Sequence, residues 1–252
     1  MKINYYGITN QGTKSIENED SYALPELNDK YNLDGMDYAA KGYLFIVCDG
    51  MGGHKAGEIA SELAANWIMR DYYQSGISFS YENIIRKNNH KLKVLADAYE
   101  QYKDMGTTLV SLLVKGKKAY IHNVGDSRCY LIDNNKMKQI SEDHSEIWEL
   151  YKKGIIEKDE IIKSPRKNVI TQAIGLKEEF TLNSYEIDLP EKWTFFLCTD
   201  GVTDVLRDRD LEEIFQSSNG MEKFSEELIK AAREQKSQDD IAIIVVSNIM
   251  DV

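Results

Sequence analysis

Eight short stretches of the chain alternate apolar and polar residues or run continuously apolar in β-favouring types, and each predicts a strand. They cover residues 3–9, 43–48, 107–114, 119–124, 128–132, 180–187, 194–198 and 241–247. After the second stretch the period changes. Ile59, Ala60, Leu63, Ala64, Trp67 and Ile68 form one apolar stripe, which predicts a helix over 56–74. Residues 80–104 predict a second, more polar helix, with Ile84, Ile85, Leu92, Leu95 and Tyr99 facing inward and Ser80 as N-cap. Two more helical segments are expected near 209–216 and 221–235. The stretch 144–166 has a short helical piece, a Lys-Lys-Gly stop at 152–154 and a charged turn, and it reads as an excursion from the sheets, placed to act as a lid.

Short turns, GKK at 116–118 and DNN at 133–135, join consecutive strands and favour antiparallel meanders over a doubly wound parallel sheet. The chain contains neither a GxGxxG nor a GxxxxGK[ST] phosphate loop. With no repeat, low-complexity tract or linker-like segment, residues 1–252 are expected to form a single domain.

Composition supports an ordinary globular protein: 252 residues, 42% hydrophobic and 29% charged, with only 3 Pro. Charge narrows the choice of partners. Lys and Arg number 31 against 42 Asp and Glu, a formal net charge of −11, which argues against binding nucleic acid or an anionic membrane surface. Cys48, Cys129 and Cys198 sit in apolar runs (FIVC, RCYLI, FFLC) without any CxxC, and read as buried thiols of a reducing compartment. No apolar run approaches the roughly 18 residues of a membrane span, and the first ten residues lack a signal-peptide core, so a cytoplasmic protein is expected.

The informative feature is where the acids fall. Asp49 follows FIVC and precedes Gly50, Asp200 follows FFLCT and precedes Gly201, Asp126 follows HNVG, and Asp239 with Asp240 precedes IAIIVV. An aspartate at a strand end commonly just caps a turn. Four together at one edge of a sandwich would repel one another strongly unless cations sat between them. All-oxygen ligation suits Mg²⁺ or Mn²⁺, and scattered His with buried Cys argue against zinc. A structural calcium site in a noncatalytic sandwich is the plainer alternative.

The string FIVCDGMGGHKAGEIAS at 45–61 stands among other motifs in order: NEDS at 18–21, GTT at 106–108, NVGDSR at 123–128, DHS at 143–145, SPRKNVITQAIG at 164–175, CTDGVTD at 198–204 and QDDIAIIVV at 238–246. This ordered set resembles the metal-dependent protein serine/threonine phosphatases of the type 2C class, in their compact bacterial form. The resemblance implies an α+β fold, a four-layer α/β/β/α sandwich of two mainly antiparallel sheets with helix pairs outside. It implies two Mn²⁺ or Mg²⁺ ions, with Asp49 bridging both, Gly50 offering its carbonyl, and Asp200 and Asp239 completing the first site. Glu19 and Asp20 would hold waters on the second ion, and Asp126, sharing Asp200, matches a third site found in bacterial relatives. A water bridging two ions would attack phosphorus in line, without a covalent phosphoenzyme. His54 is a candidate proton donor, although as the only histidine of the glycine loop it also reads as a solvent-exposed residue.

The resemblance further implies phosphorylated protein substrates, a serine/threonine kinase and its targets as signalling partners, and a monomer. Residues 144–166 correspond to the family's flap, a candidate for substrate contact.

Three positions depart from the family pattern. The usual phosphate-gripping arginine is Ser15, with Lys14 beside it as a point charge that lacks arginine's fork. The usual histidine before Pro165 is Ser164, and the usual Asn after Asp239 is Asp240, expected to cap the turn. Ser15 motivates an alternative, a pseudophosphatase that binds or senses a partner on the same fold. The acidic surface is expected to favour basic stretches around a phosphorylated residue.

Overall fold

The computed structural model describes residues 2–14, 16–25, 38–52, 55–76 and 80–250. Its strands are β1 (Asn4–Asn10), β2 (Asp20–Ala23), β3 (Tyr43–Met51), β4 (Gly106–Thr107), β5 (Leu109–Lys115), β6 (Lys118–Val124), β7 (Arg128–Asp133), β8 (Lys136–Gln139), β9 (Asn183–Asp188), β10 (Thr194–Cys198) and β11 (Ile241–Ser247). One sheet runs β1-β11-β10-β7-β8; the other runs β2-β3-β5-β6-β9, with β4 paired to β3. Every pairing between these strands is antiparallel, as the short turns predict.

The period-two geometry of the central strands sends alternate residues into different layers. From β3, Phe45 and Val47 enter the space between the sheets, joined by Phe195 and Leu197 of β10 and Ala242, Ile244 and Val246 of β11. Leu44, Ile46 and Cys48 face the opposite way, under α2 (Lys55–Gln74) and α3 (Tyr81–Ala98). Phe196, Ile241, Ile243 and Val245 back onto α7 (Asp208–Ser217) and α8 (Met221–Glu234). Both faces of these strands are buried, which is why FIVC, FFLC and IAIIVV read as unbroken apolar runs. The layers are α/β/β/α, and all three cysteines are buried and free. Shorter helices complete the chain: α1 (Tyr38–Lys41), α4 (Glu146–Lys152), α5 (Lys158–Ile161) and α6 (Asp200–Thr203).

Several sequence expectations need correction. The second helix ends at Ala98 rather than 104, and a 3₁₀ turn over Glu100–Tyr102 follows. Tyr99 is 54% exposed instead of inward, because Glu100, Gln101, Lys103 and Asp104 offer no apolar face to continue the stripe. Ser80 holds the N-cap position but its side chain makes no capping bond. The strand expected from 180 begins at Asn183, with Phe180 buried in the preceding loop under the Arg86 guanidinium. The strand expected over 107–114 breaks at Thr108, and β2 and β8 went unpredicted. Both are four-residue edge strands, and β8 is paired through a turn in which Asn134 and Asn135 take the left-handed backbone that a two-residue hairpin needs. Among the described residues, no helix is long and apolar enough to cross a membrane.

Candidate metal centre

The ends of β2, β3 and β10, the start of β11 and the β6–β7 turn deliver the aspartates to one end of the sandwich. Asp20 lies directly across from Asp49 in the β2–β3 register. The Asp49 backbone is pinned from both sides. Its N–H donates to Thr108 Oγ1 at 2.9 Å, and its carbonyl accepts the Thr108 N–H and the Thr107 hydroxyl, each at 2.8 Å. Thr108 Oγ1 in turn meets Ser127 Oγ at 2.6 Å, beside Asp126. The break in the predicted strand at Thr108 therefore supplies the contacts that aim Asp49. Thr199, immediately before Asp200, donates its hydroxyl to Asp20 Oδ2 at 2.7 Å and accepts the Ala242 N–H at 2.9 Å, tying the two sheets together at the site.

Close approach explains the glycines here. The Gly50 N–H donates to the Glu19 carbonyl at 3.0 Å, and a Cβ on Gly50 would lie 2.0 Å from the Gly57 carbonyl oxygen. Both obstacles are backbone and cannot swing aside. Gly50→Ala is accordingly expected to cost about 3 kcal/mol or more, read as a fall in melting temperature of roughly 6–12 °C.

Electrostatics show which side chains face one another. Asp49 is raised well above the usual carboxylate range by loss of hydration, then by the charges of Asp20, Asp200, Asp126 and Asp239. Asp200 is raised the same way, by burial and then by Asp204, Asp126, Asp239 and Asp20. Burial and Asp143 push Asp126 to about 7. Asp20 is raised chiefly by burial, against the stabilising Thr199 hydrogen bond. Glu19 rises to about 6 through burial and the charges of Asp240 and Asp239. Asp239, exposed at the rim, is also raised by lost hydration, with Lys14 opposing the rise. Asp20, Asp49, Asp126, Asp200, Asp239 and Glu19 thus lie at one end of the sandwich, within electrostatic reach of neighbouring carboxyls.

Asp240, expected to cap its own turn, instead holds the segment between β1 and β2: Oδ1 accepts the Gly12 N–H at 2.6 Å and Oδ2 the Glu19 N–H at 2.8 Å. His54 and Ser15 lie outside the described residues.

These residues fit divalent cations. The donor set is hard oxygen, and a cation placed among crowded, buried carboxylates favours their charged form. Among the described residues, no three His, Cys, Asp or Glu side chains form a ready-made cage. That suits Mg²⁺-like binding, in which one or two carboxylates hold an ion that keeps several waters.

The flap is anchored at both ends beside the site. The His144 N–H donates to the Gly125 carbonyl at 2.8 Å, and Ile174 and Thr107 exchange backbone bonds of 2.8 and 3.0 Å. Between these points, Ile147, Trp148 and Ile161 of α4 and α5 make a small apolar cluster of their own. Arg128 grips buried Asp143 through Nε and Nη2, and its guanidinium lies 5.7 Å from the Trp148 ring centroid.

Sequence reasoning missed Thr199, Asp204 and Lys167. Asp204 sits one helical turn after Asp200, its N–H bonded to the Asp200 carbonyl at 2.7 Å, and Lys167, just beyond the flap, pairs with it at 2.8 Å. The spacing of the two acids within CTDGVTD was the available signal.

The Protein phosphatase 2C family pattern matches residues 28–245. The chain belongs to the protein phosphatase 2C family. As a protein phosphatase 2C it is a metal-dependent enzyme, and its relatives agree. It is 31% identical to the serine/threonine phosphatase stp of Listeria innocua serovar 6a, over 94% of this chain and 93% of that protein. It is 30% identical to protein phosphatase PhpP of Streptococcus pneumoniae serotype 2, over 95% of each. The crystal structure of serine/threonine phosphatase Stp1 from Staphylococcus aureus superposes with a TM-score of 0.85 at 28% identity, covering 98% of this chain and 95% of that one. The fold is therefore shared with that phosphatase along nearly the whole chain.

Proposed function

We propose that this protein phosphatase hydrolyses phosphoserine and phosphothreonine in proteins at the carboxylate-lined end of the sandwich. The observation that carries this is the convergence of Asp20, Asp49, Asp126, Asp200 and Asp239, each raised by burial and most of them by one another's charge. Such a cluster is wasteful without cations and effective with them. When bound, two Mg²⁺ or Mn²⁺ ions lower the pKa of water to near neutrality and neutralise phosphoryl oxygens.

Asp49, Gly50, Asp200 and Asp239 are the residues that would hold them, with Glu19 and Asp20 acting through water and Asp126 offering a third site. Thr108 and Thr199 hold Asp49 and Asp20 in place by the hydrogen bonds above. Lys14, exposed and facing Asp239, is the cation offered to a substrate phosphate where the family's arginine is Ser15. Flap residues 144–166, rooted beside Asp126, would contact the protein substrate. The working unit would be a single cytoplasmic catalytic domain, acting as a monomer against a serine/threonine kinase and its targets. No observation among the described residues favours the pseudophosphatase alternative.

With Mn²⁺ present, purified protein is expected to hydrolyse an aryl phosphate and a phosphothreonine peptide, and to leave a phosphotyrosine peptide nearly untouched. Failure on both the aryl phosphate and the phosphothreonine peptide at every metal concentration would sink the proposal.

A further inference from the structure

A cavity of about 320 Å³ borders the carboxylate cluster at Asp239, and its walls carry Lys14, Lys167 and Lys236 against Asp204 and Asp239. In a chain of net charge −11, three lysines around one hollow next to the reaction centre are out of keeping with the rest of the molecule. Lys167 is already neutralised by Asp204 at 2.8 Å, and Asp239 would be neutralised by a bound ion. Lys14 is offered to the substrate phosphate, and among the described residues the charge of Lys236 remains in surplus.

Lys236 has a second peculiarity. It ends α8 in a left-handed turn: the Ser237 N–H reaches back to the Ala232 carbonyl at 2.9 Å and the Lys236 N–H to the Arg233 carbonyl at 3.0 Å. Its φ is +68°, the conformation for which this capping motif strongly prefers glycine. Asp104, Asn134 and Asn135, the other non-glycine residues with positive φ among those described, are of types that tolerate it, and Lys236 is the exception. A residue that breaks the local rule without serving the helix end is expected to serve something else. The wall around it is firm: Arg233 holds the Ser237 and Asp239 carbonyls at 3.1 and 2.7 Å, and the Lys14 N–H meets the Gln238 carbonyl at 3.3 Å.

We propose that this cavity is a specificity subsite, in which Lys236 receives an anionic group on a substrate residue close to the phosphorylated one, while Lys14 at the same wall stays with the phosphate being cleaved. The group is a carboxylate or a second phosphoryl group. The subsite rests on the phosphatase reading and adds a substrate class to it. It also reverses, at the mouth of the site, the preference for basic flanks that the overall acidity suggests.

The test compares kcat/KM, with Mn²⁺, for phosphothreonine peptides that differ only in flanking Gln, Glu, phosphoserine or Lys. Aryl phosphate, which has no flank, reports on the metal centre alone. Wild type is expected to favour Glu or phosphoserine over Gln by about tenfold, and over Lys by more. Lys236→Gly should erase most of that preference, leave aryl phosphate turnover unchanged, and raise the melting temperature by about 2 °C as glycine relieves the left-handed backbone. Lys236→Glu should invert the preference toward the Lys peptide. Equal rates for the Gln, Glu and phosphoserine peptides in wild type, or a preference unmoved in both variants, would overturn the subsite. A preference for phosphoserine alone would assign it to multiply phosphorylated segments. Loss of aryl phosphate turnover in wild type would instead overturn the phosphatase reading. Fluorescence anisotropy with Mn²⁺, using non-hydrolysable phosphonate analogues of the same peptides, then judges the subsite by binding, and the same rank order must appear.

Discussion

Replacing Asp49 with Asn is expected to lower kcat/KM for a phosphothreonine peptide by on the order of 10³-fold while making the metal-free protein more stable. The two effects share one cause. Asp49 sits where its charge is disfavoured by burial and by four other carboxyls, so neutralising it relieves the empty site. Asn keeps the shape, and the three hydrogen bonds that fix residue 49 run through its backbone N–H and carbonyl, so the fold has no reason to shift. On the proposed metal site, the substitution would take an anionic ligand from the ion, and a loss of ~4 kcal/mol from transition-state stabilisation corresponds to about 10³ in rate. Steady-state kinetics with Mn²⁺ and a melting curve in EDTA check both halves. A fall in activity accompanied by a fall in metal-free melting temperature would point to damage to the fold instead.

The second large effect is a reversal of the usual pH trend in the metal-free protein. Asp126 at about 7 and Glu19 at about 6 bind protons more tightly when folded than their unfolded values near 4. Between pH 4 and 7 the native state therefore carries the extra protons, and stability must fall as pH rises through that window. Asp126, almost wholly buried, contributes at most ~4 kcal/mol of this, since each pKa unit is worth about 1.4 kcal/mol. Divalent ions work the other way. They bind the ionised carboxylates, so at 100 times the dissociation constant they add about 2.7 kcal/mol, and their affinity rises with pH. Thermal unfolding from pH 5 to 7.5, with and without Mg²⁺, should show the metal-free melting temperature dropping by several degrees while the gap between the two curves widens. A constant gap would mean that these carboxyls do not bind the ion.

Central strands were legible because burial on both faces writes an uninterrupted apolar run, as in FIVC, FFLC and IAIIVV. The two four-residue edge strands were not: DSYA and KMKQ are short, half polar, and gain their order from one neighbour apiece. The carboxylates were legible because each stands at the end of such a run. Their supports were not, since the bonds from Thr199 to Asp20 and from Lys167 to Asp204 span 179 and 37 residues of sequence respectively and arise only when the sheets and flap meet. The helix beyond Ala98 failed for a simpler reason, that Tyr99 continues a spacing without any apolar neighbours to make a face.

The most direct measurement is a Mn²⁺ titration of phosphothreonine-peptide hydrolysis, with melting temperature followed in the same samples, for wild type and Asp239→Asn. If the carboxylate cluster is the metal-dependent reaction centre, wild type is inactive in EDTA, and activity and melting temperature rise together over the same Mn²⁺ range. Asp239→Asn then needs far more Mn²⁺ for either. Full turnover in EDTA, or identical titrations for the two proteins, would contradict that claim.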